Sequence, residues 1–304
     1  MCKIVNGILL NMDYYNGKDL YNEGDEEEEK ILEVLKNKED IMEVLEKDNR
    51  WPILYQLSPI RANIIEPMTI NSQDSVLEIG SGMGAVTGAL AKRCKTVECI
   101  ELSKRRSMAN AYRNSAYSNI EIIVGNFEDI SFVKKYDVIT LIGVLEYAQS
   151  YISSENPYHD FLKKIGELLN PGGRLYIAIE NRLGLKYFAG YSEDHLGYAF
   201  AGIEGYEKEQ GVRTFSHSEL CKLLKGADFN SLYFYYPYPD YKLPTTIYSD
   251  DFSPSETWSV STMNYDLDRL VCFDENKTYT SLVGSNEWKT LSNSFLVEAM
   301  RRLI

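Results

Sequence analysis

Positive charge is what this sequence has too little of. Its 304 residues carry 32 Lys and Arg against 45 Asp and Glu, a formal net charge of -13. Nucleic-acid binders draw much of their affinity from neutralised phosphates and present a basic face, so DNA or RNA is not expected as the main partner. Anionic membrane surfaces repel such a chain for the same reason. Cysteine is scarce too. The five residues Cys2, Cys94, Cys99, Cys221 and Cys272 are odd in number and include no Cys-x-x-Cys pair. Neither a disulfide framework nor a cysteine metal site is expected, and the cytoplasm is the simplest setting. No apolar run is long enough for a membrane span. Met1–Gly7 lacks the pattern of a signal peptide, and there are no internal repeats or low-complexity tracts.

What is present is an ordinary globular composition, 44% hydrophobic and 25% charged, in a chain long enough for a core domain with a smaller cap. Ile4–Leu10 is apolar and broken by Asn6-Gly7, a hairpin signal. The acidic run Glu23–Glu29 precedes helical spacing at Ile31, Leu32, Val34 and Leu35, and then at Ile41, Met42, Val44 and Leu45. The acids read as a solvated helix start. A helix over Ile53–Met68 should break at Pro59. From Ser75 onward short apolar strands alternate with helices. Strands are expected at 75–79, 96–100, 120–124, 136–142, 174–179, 232–236 and 294–300, with a turn at Pro171-Gly-Gly173. That rhythm predicts an α/β fold: a Rossmann-like, doubly wound, mostly parallel seven-stranded sheet with an antiparallel strand near the end. Residues 1–70 are expected to form an N-terminal hairpin and helical cap. Residues 71–304 form the main domain, with substrate-side insertions at about 181–215 and 237–290.

Between the first two strands of the alternation lies Gly80-Ser-Gly-Met-Gly84. A glycine-rich turn from strand to helix lets backbone approach a ligand closely. Glu101 ends the next strand, about 20 residues on, where an acid can hydrogen-bond ribose hydroxyls. The relaxed dinucleotide fingerprint is also satisfied, so NAD stays open. Glu78 favours a different cofactor. A carboxylate two residues before the first glycine repels a pyrophosphate but suits the ammonium group of S-adenosylmethionine. Gly125-Asn-Phe-Glu-Asp129, Gly143-Val-Leu-Glu-Tyr147 and Asn170-Pro-Gly-Gly-Arg174 follow in order.

This arrangement, from about Ser75 to Ile179, resembles the class I S-adenosylmethionine-dependent methyltransferases. The resemblance implies that Glu78, Gly80, Ser81 and Gly82 face the methionine part of the cofactor. It implies further that Glu101 and Leu102 meet ribose and adenine, Asn126 and Phe127 meet adenine, and Gly143 lines the site. Asn126 departs from the Asp often found there. Further motifs are Tyr14–Tyr21, Trp51–Arg61, Glu180-Asn-Arg-Leu-Gly-Leu-Lys-Tyr187, Glu193-Asp-His195 and Tyr236-Pro-Tyr-Pro-Asp-Tyr-Lys-Leu-Pro244. Together these resemble a bacterial methyltransferase subfamily associated with surface-polysaccharide biosynthesis. That implies a small-molecule or glycan acceptor and an association with glycosyltransferases, while homodimerisation stays open.

Methyl transfer is an in-line displacement that needs alignment and exclusion of water, and a hydroxyl acceptor also needs a base. Of the three histidines, His195 is the expected base, oriented by Asp194 or Glu193. His159 and His217 read as helix-terminus residues. Glu146, after the fourth strand, is a further active-site candidate. Tyr55, Arg61, Asn181, Arg182 and Tyr238 are candidates for the substrate wall. No cluster with metal-ligand spacing is evident, so no metal is expected. The segment Leu141–Glu146 is not the Asn/Asp-Pro-Pro-Tyr type used on nitrogen, which favours an oxygen acceptor. Two alternatives stay open: a non-catalytic S-adenosylmethionine-binding module partnering a glycosyltransferase, and an NAD-dependent oxidoreductase.

Overall fold

The computed structural model describes residues 2–19, 24–206, 211–255 and 269–301, divided between two compact units. Unit 1 comprises Met1–Leu141 and Glu167–Arg174; unit 2 comprises Ile142–Gly166 and Leu175–Ile304. Parts of the expected insertions, at 207–210 and 256–268, lie outside the described residues, as do Leu20, Tyr21 and the last three residues.

In unit 1, β1 (Cys2–Val5) and β2 (Ile8–Asn11) form an antiparallel hairpin. Its Asn6 and Gly7 have φ of 47° and 88°, the two positive values that a tight two-residue turn requires. Four further strands follow: β3 (Ser75–Ile79), β4 (Thr96–Glu101), β5 (Ile120–Val124) and β6 (Tyr136–Ile142). The order across this unit is β1-β2-β5-β4-β3-β6, and every pairing from β2 to β6 is parallel. Counted from β3, the four inner strands run 3-2-1-4, the Rossmann-like half order. β3, β4 and β6 are near-continuously buried, as strands covered on both faces must be. The hairpin is not a detached cap element. Ile8 and Leu10 are buried, and β2 pairs Leu9–Asn11 with Glu121–Ile123, closing an edge that β5 would otherwise expose.

The N-terminal helices follow from their apolar spacing. Asp25–Asn37 buries Ile31, Leu32, Val34 and Leu35 against Ile53, Leu57, Met83 and Ala109. The helix Trp51–Leu57 stops two residues before Pro59, and a 3-10 turn, Pro59–Ile65, continues with Ser58 accepting from the Ile60 amide. The acidic run is less solvated than expected. Glu28 is buried, with its carboxylate 2.9 Å from Arg105 and 3.6 Å from Arg106.

The strand β7 (Leu169–Glu180) starts in unit 1 and continues into unit 2. The expected turn at Pro171-Gly-Gly173 is instead part of this strand. Asn170 donates to Asp137 Oδ1 at 2.7 Å, and a Cβ on Gly173 would lie 3.0–3.1 Å from two backbone oxygens. Glycine therefore lets the strand pass where a side chain would force it away. Unit 2 adds β8 (Phe229–Tyr238), β9 (Thr246–Ser249) and β10 (Ser294–Arg301), in the order β7-β10-β8-β9. β8 pairs antiparallel with both β10 and β9. The whole is a mixed α/β fold with a largely parallel sheet of Rossmann-like order and antiparallel additions. Among the described residues there are ten strands rather than seven, the additions being β1, β2 and β9. β9 lies in a stretch expected to be irregular; its Thr-Ile-Tyr-Ser sequence pairs with Tyr235–Tyr238 and covers that edge. No helix among the described residues is long and apolar enough to cross a membrane.

Candidate functional site

Unit 1 holds the glycine loop. Gly80, Gly82 and Gly84 all have positive φ, at 73°, 54° and 77°. Glu101 braces the loop: Oε2 accepts from the Gly82 amide at 2.8 Å and Oε1 from the Ser103 amide at 3.0 Å. The acid expected to meet ribose thus also fixes the loop that would wrap the methionine part. Glu78 sits on β3 and is buried, accepting from Thr87 Oγ1 at 2.7 Å and Cys99 Sγ at 3.4 Å. Burial pushes its carboxyl up to about 7, against those hydrogen bonds and the charge of Arg61. Ser81 is buried and Leu102 half-buried. Asn126 caps a short 3-10 turn by accepting from the Glu128 amide, and Phe127 is buried against Phe132 with ring centroids 5.3 Å apart.

Arg61 and Tyr55 come together in unit 1, the guanidinium 3.7 Å above the ring. Arg61 is buried, and its Nε and Nη1 have no hydrogen-bond partner. Arg113 is buried close by; burial, helped by the charge of Arg61, lowers it to about 9.

Unit 2 gathers three of the sequence motifs into one charged cluster. Glu180 ends β7, Glu193 to His195 follow in the loop, and Asp240 to Lys242 follow β8. His195 is held by Glu193, whose Oε1 lies 3.1 Å from Nδ1. Glu193 Oε2 accepts from the amides of His195 and Leu196 at 2.8 and 2.7 Å, which fixes the carboxylate. On the other side of the ring, Nε2 lies 3.7 Å from Glu146 and 3.9 Å from Glu180. Tyr147 meets the imidazole edge-on at 5.5 Å. Sequence spacing gives no metal cluster, yet folding brings one donor atom each of Glu146, Glu180 and His195 within 4.8 Å of one another. Burial would lower the His195 imidazolium, but Glu180, Glu146 and Glu193 outweigh it and hold it well above the ordinary value. Burial raises the Glu146 carboxyl, and the charge of Glu180 adds to this against the pull of His195.

Asp194 turns away from His195. It pairs with Lys186 at 2.8 Å and Lys242 at 2.7 Å and accepts from the Tyr187 hydroxyl. Burial alone would raise its carboxyl, but the two lysines hold it far below the carboxylate range. Of the two residues expected to orient His195, Glu193 makes the contact. Lys242 also pairs with Glu180, and Lys186 reaches Asp240 at 3.5 Å. Glu180, Lys186, Asp240 and Lys242 were not singled out by sequence reasoning. Their signal was charge inside the quoted motifs, above all a glutamate directly after the apolar run Leu175–Ile179.

The other expected substrate residues have structural partners. Asn181 is buried and donates to the carbonyls of Thr290 and Ser292 at 2.7 Å each. Arg182 pairs with Glu219 at 2.6 Å. Tyr238 is buried edge-on against Tyr279 at 5.4 Å. Gly143 has φ of 70°, and a Cβ there would lie 2.8 Å from the Tyr241 hydroxyl. His217 begins the helix His217–Gly226 and packs tilted against Phe234 with ring centroids 4.1 Å apart, and His159 Nε2 donates to the Gly226 carbonyl at 3.1 Å. A cavity of about 440 Å³ in unit 2, lined by His217, Cys221, Lys225, Asp250 and Lys289 among others, contains none of the expected site residues.

Residues 50–233, more than half of the chain, match the family model described as a methyltransferase domain. The ubiquinone biosynthesis O-methyltransferase of Coxiella burnetii is 28% identical over 133 residues, covering 42% of this chain and 53% of that one. The ribosomal RNA small subunit methyltransferase A of Ligilactobacillus salivarius is 38% identical over 64 residues, covering 21% and 22%. The chain thus spans about half or less of the length of the curated relatives it matches. In fold, it is similar to phosphoethanolamine N-methyltransferase 1 of Haemonchus contortus, solved with phosphoethanolamine and S-adenosylhomocysteine. The TM-score is 0.50 at 14% identity, covering 92% of this chain and 49% of that one.

Proposed function

The chain belongs to the S-adenosylmethionine-dependent methyltransferases, and from that membership we propose that the whole protein transfers the cofactor's methyl group to a hydroxyl oxygen of a polar small-molecule acceptor, a sugar or glycan-related compound. The observation that carries the acceptor reading is the meeting of three separate motifs around His195 in unit 2. A buried His195 ring held by Glu193 is suited to orient an acceptor hydroxyl, and the Glu146 carboxylate beside it, rather than the charged ring, to take up the proton. Glu146 Oε2 and Glu180 Oε2 are buried without hydrogen-bond partners, which leaves lone pairs for acceptor hydroxyls. The resemblance of these same motifs to a polysaccharide-associated subfamily supports a sugar. A relative named for O-methylation supports oxygen.

The chemistry balances simply. An oxygen lone pair attacks the sulfonium methyl carbon, the carbon–sulfur bond breaks, and S-adenosylhomocysteine leaves as a neutral thioether. The hydroxyl proton passes to the Glu146 carboxylate, whose basicity burial raises. On the donor side, Gly80, Gly82 and Glu101 would hold the cofactor, and Glu78 would offer a carboxylate suited to its ammonium group. Asn126, Phe127 and Leu102 would flank adenine.

The test is calorimetric titration with S-adenosylhomocysteine, with NAD as control, followed by labelled methyl transfer to a panel of nucleotide sugars, glycans and amines. Binding of S-adenosylhomocysteine that is lost in Glu101→Ala, with label on a hydroxyl acceptor that is lost in His195→Ala, supports the reading. Label confined to amines overturns the acceptor, and binding of NAD alone overturns the cofactor.

A further inference from the structure

Five buried or half-buried carboxylates, those of Glu146, Glu180, Glu193, Asp194 and Asp240, crowd this cluster in unit 2, with two lysines among them. The lysines sit on one side. Lys186 and Lys242 are engaged by Asp194, with Asp240 and one oxygen of Glu180 as further partners. The opposite side is anionic. Glu146, which is 1% exposed, and Glu180, which is 0% exposed, turn carboxylate oxygens toward His195 Nε2, and Oε2 of each lacks a hydrogen-bond partner. A buried carboxylate oxygen with no partner is costly, and such groups in proteins are paired or bind metal.

We propose that Glu146, Glu180 and His195 bind a divalent cation, Mn2+ or Mg2+. The donor set is two carboxylate oxygens and one imidazole nitrogen, all within 4.8 Å of one another, and oxygen-rich sites with a single imidazole suit these hard cations. The surroundings have what metal sites use to hold their ligands. Glu193 fixes His195 through Nδ1, leaving Nε2 toward the two carboxylates. Lys242 holds one oxygen of Glu180 and leaves the other toward the ring. Glu146 is fixed by its backbone, whose carbonyl accepts from the Arg213 amide at 3.0 Å. Three protein ligands leave coordination positions for acceptor hydroxyls. The cation's part in transfer, to hold and polarise the acceptor oxygen, rests on the acceptor reading above; its binding does not.

The experiment is a titration of chelator-treated protein with MnCl2, followed by the electron paramagnetic resonance signal of free Mn2+. S-adenosylhomocysteine affinity is measured on the same samples as a control for folding. One Mn2+ per chain is expected. His195→Ala and Glu180→Gln should abolish it, and Glu193→Gln, which leaves the three ligands in place, should weaken it about 10- to 100-fold. S-adenosylhomocysteine binding should persist in all three. Wild-type protein that binds S-adenosylhomocysteine yet leaves the Mn2+ signal unchanged overturns the proposal, and the His195 imidazolium is then the counter-ion of the carboxylates. Mn2+ binding that survives both ligand substitutions overturns it equally. Failure to bind S-adenosylhomocysteine would instead strike the family-based reading, so the two failures are distinguishable.

Discussion

A single buried carboxyl, that of Glu78, gives this chain a measurable pH dependence. Its carboxyl rises from 4.5 to about 7 in the fold because burial disfavours the charged form. A group whose folded value is raised supports the fold fully below its unfolded value and loses that contribution as pH rises through its folded value. The relevant window is therefore about pH 4.5 to 7. Above it, the charged carboxylate costs the ligand-free protein on the order of 3 kcal/mol. In urea denaturation at pH 8, Glu78→Gln should be more stable than the parent by about 1 to 3 kcal/mol, with the gap closing by pH 5. An equal gap at both pH values would show that Glu78 is ionised throughout. Glu78, Gly80 and Glu101 were legible because strand, loop and acid are contiguous or evenly spaced in the sequence. Whether Asp194 or Glu193 holds His195 was not. The two are neighbours, and backbone direction in an irregular loop decides which reaches the ring. Glu193 folds back onto two amides, whereas Asp194 is drawn to Lys186 and Lys242.

At the scale of elements, the glycine loop separates two demands that one motif conceals. Gly82 and Gly84 both have positive φ, but their surroundings differ. A Cβ at Gly84 would lie 2.4 Å from Asn110 Oδ1 and 2.5 Å from Asn114 Nδ2, whereas at Gly82 the nearest atom, on Arg106, is 3.7 Å away. Gly84→Ala should therefore cost about 2 to 4 kcal/mol, combining strain with a collision against a buried amide pair. Gly82→Ala should cost only about 1 to 2 kcal/mol, the backbone term alone. Thermal denaturation of the two variants checks this, and equal losses would contradict the packing argument. The helix His217–Gly226 offers a second comparison. Ser216 and Glu219 form a reciprocal capping box, so Ser216→Ala should lower stability by about 1 kcal/mol. A change near zero in urea denaturation would mean that Glu219, which also engages Arg182 and Arg213, holds the terminus alone. The alternating core was legible because strands buried on both faces announce themselves as apolar runs. β9 and the continuation of β7 through Pro171-Gly-Gly173 were not legible. Local turn chemistry points one way there, and pairing with distant backbone decides the other.

For the whole molecule, charge decides between classes of acceptor. Among the relatives is a methyltransferase of ribosomal RNA, and a shared cofactor domain does not by itself say whether this chain acts on RNA. The net charge of -13 does bear on it. Non-specific nucleic-acid affinity comes almost wholly from phosphate neutralisation and reaches about 10⁻⁴ to 10⁻⁶ M at physiological salt in proteins that exploit it. Here the basic groups near the His195 cluster are already committed: Lys186 and Lys242 to Asp194 and Glu180, Arg182 and Arg213 to Glu219. Phosphate binding would have to break those pairs, several of them buried, and would leave carboxylates uncompensated. Fluorescence anisotropy with a labelled RNA hairpin at 150 mM salt should thus show a dissociation constant weaker than about 10⁻⁴ M, with little further loss as salt rises. Tight binding with a steep salt dependence would reveal a basic face that the charge balance conceals and would move the acceptor from sugars to RNA. Weak, salt-independent binding would leave the carboxylate-lined cluster to a polar acceptor without phosphate charge of its own, or to one whose charge a bound cation offsets.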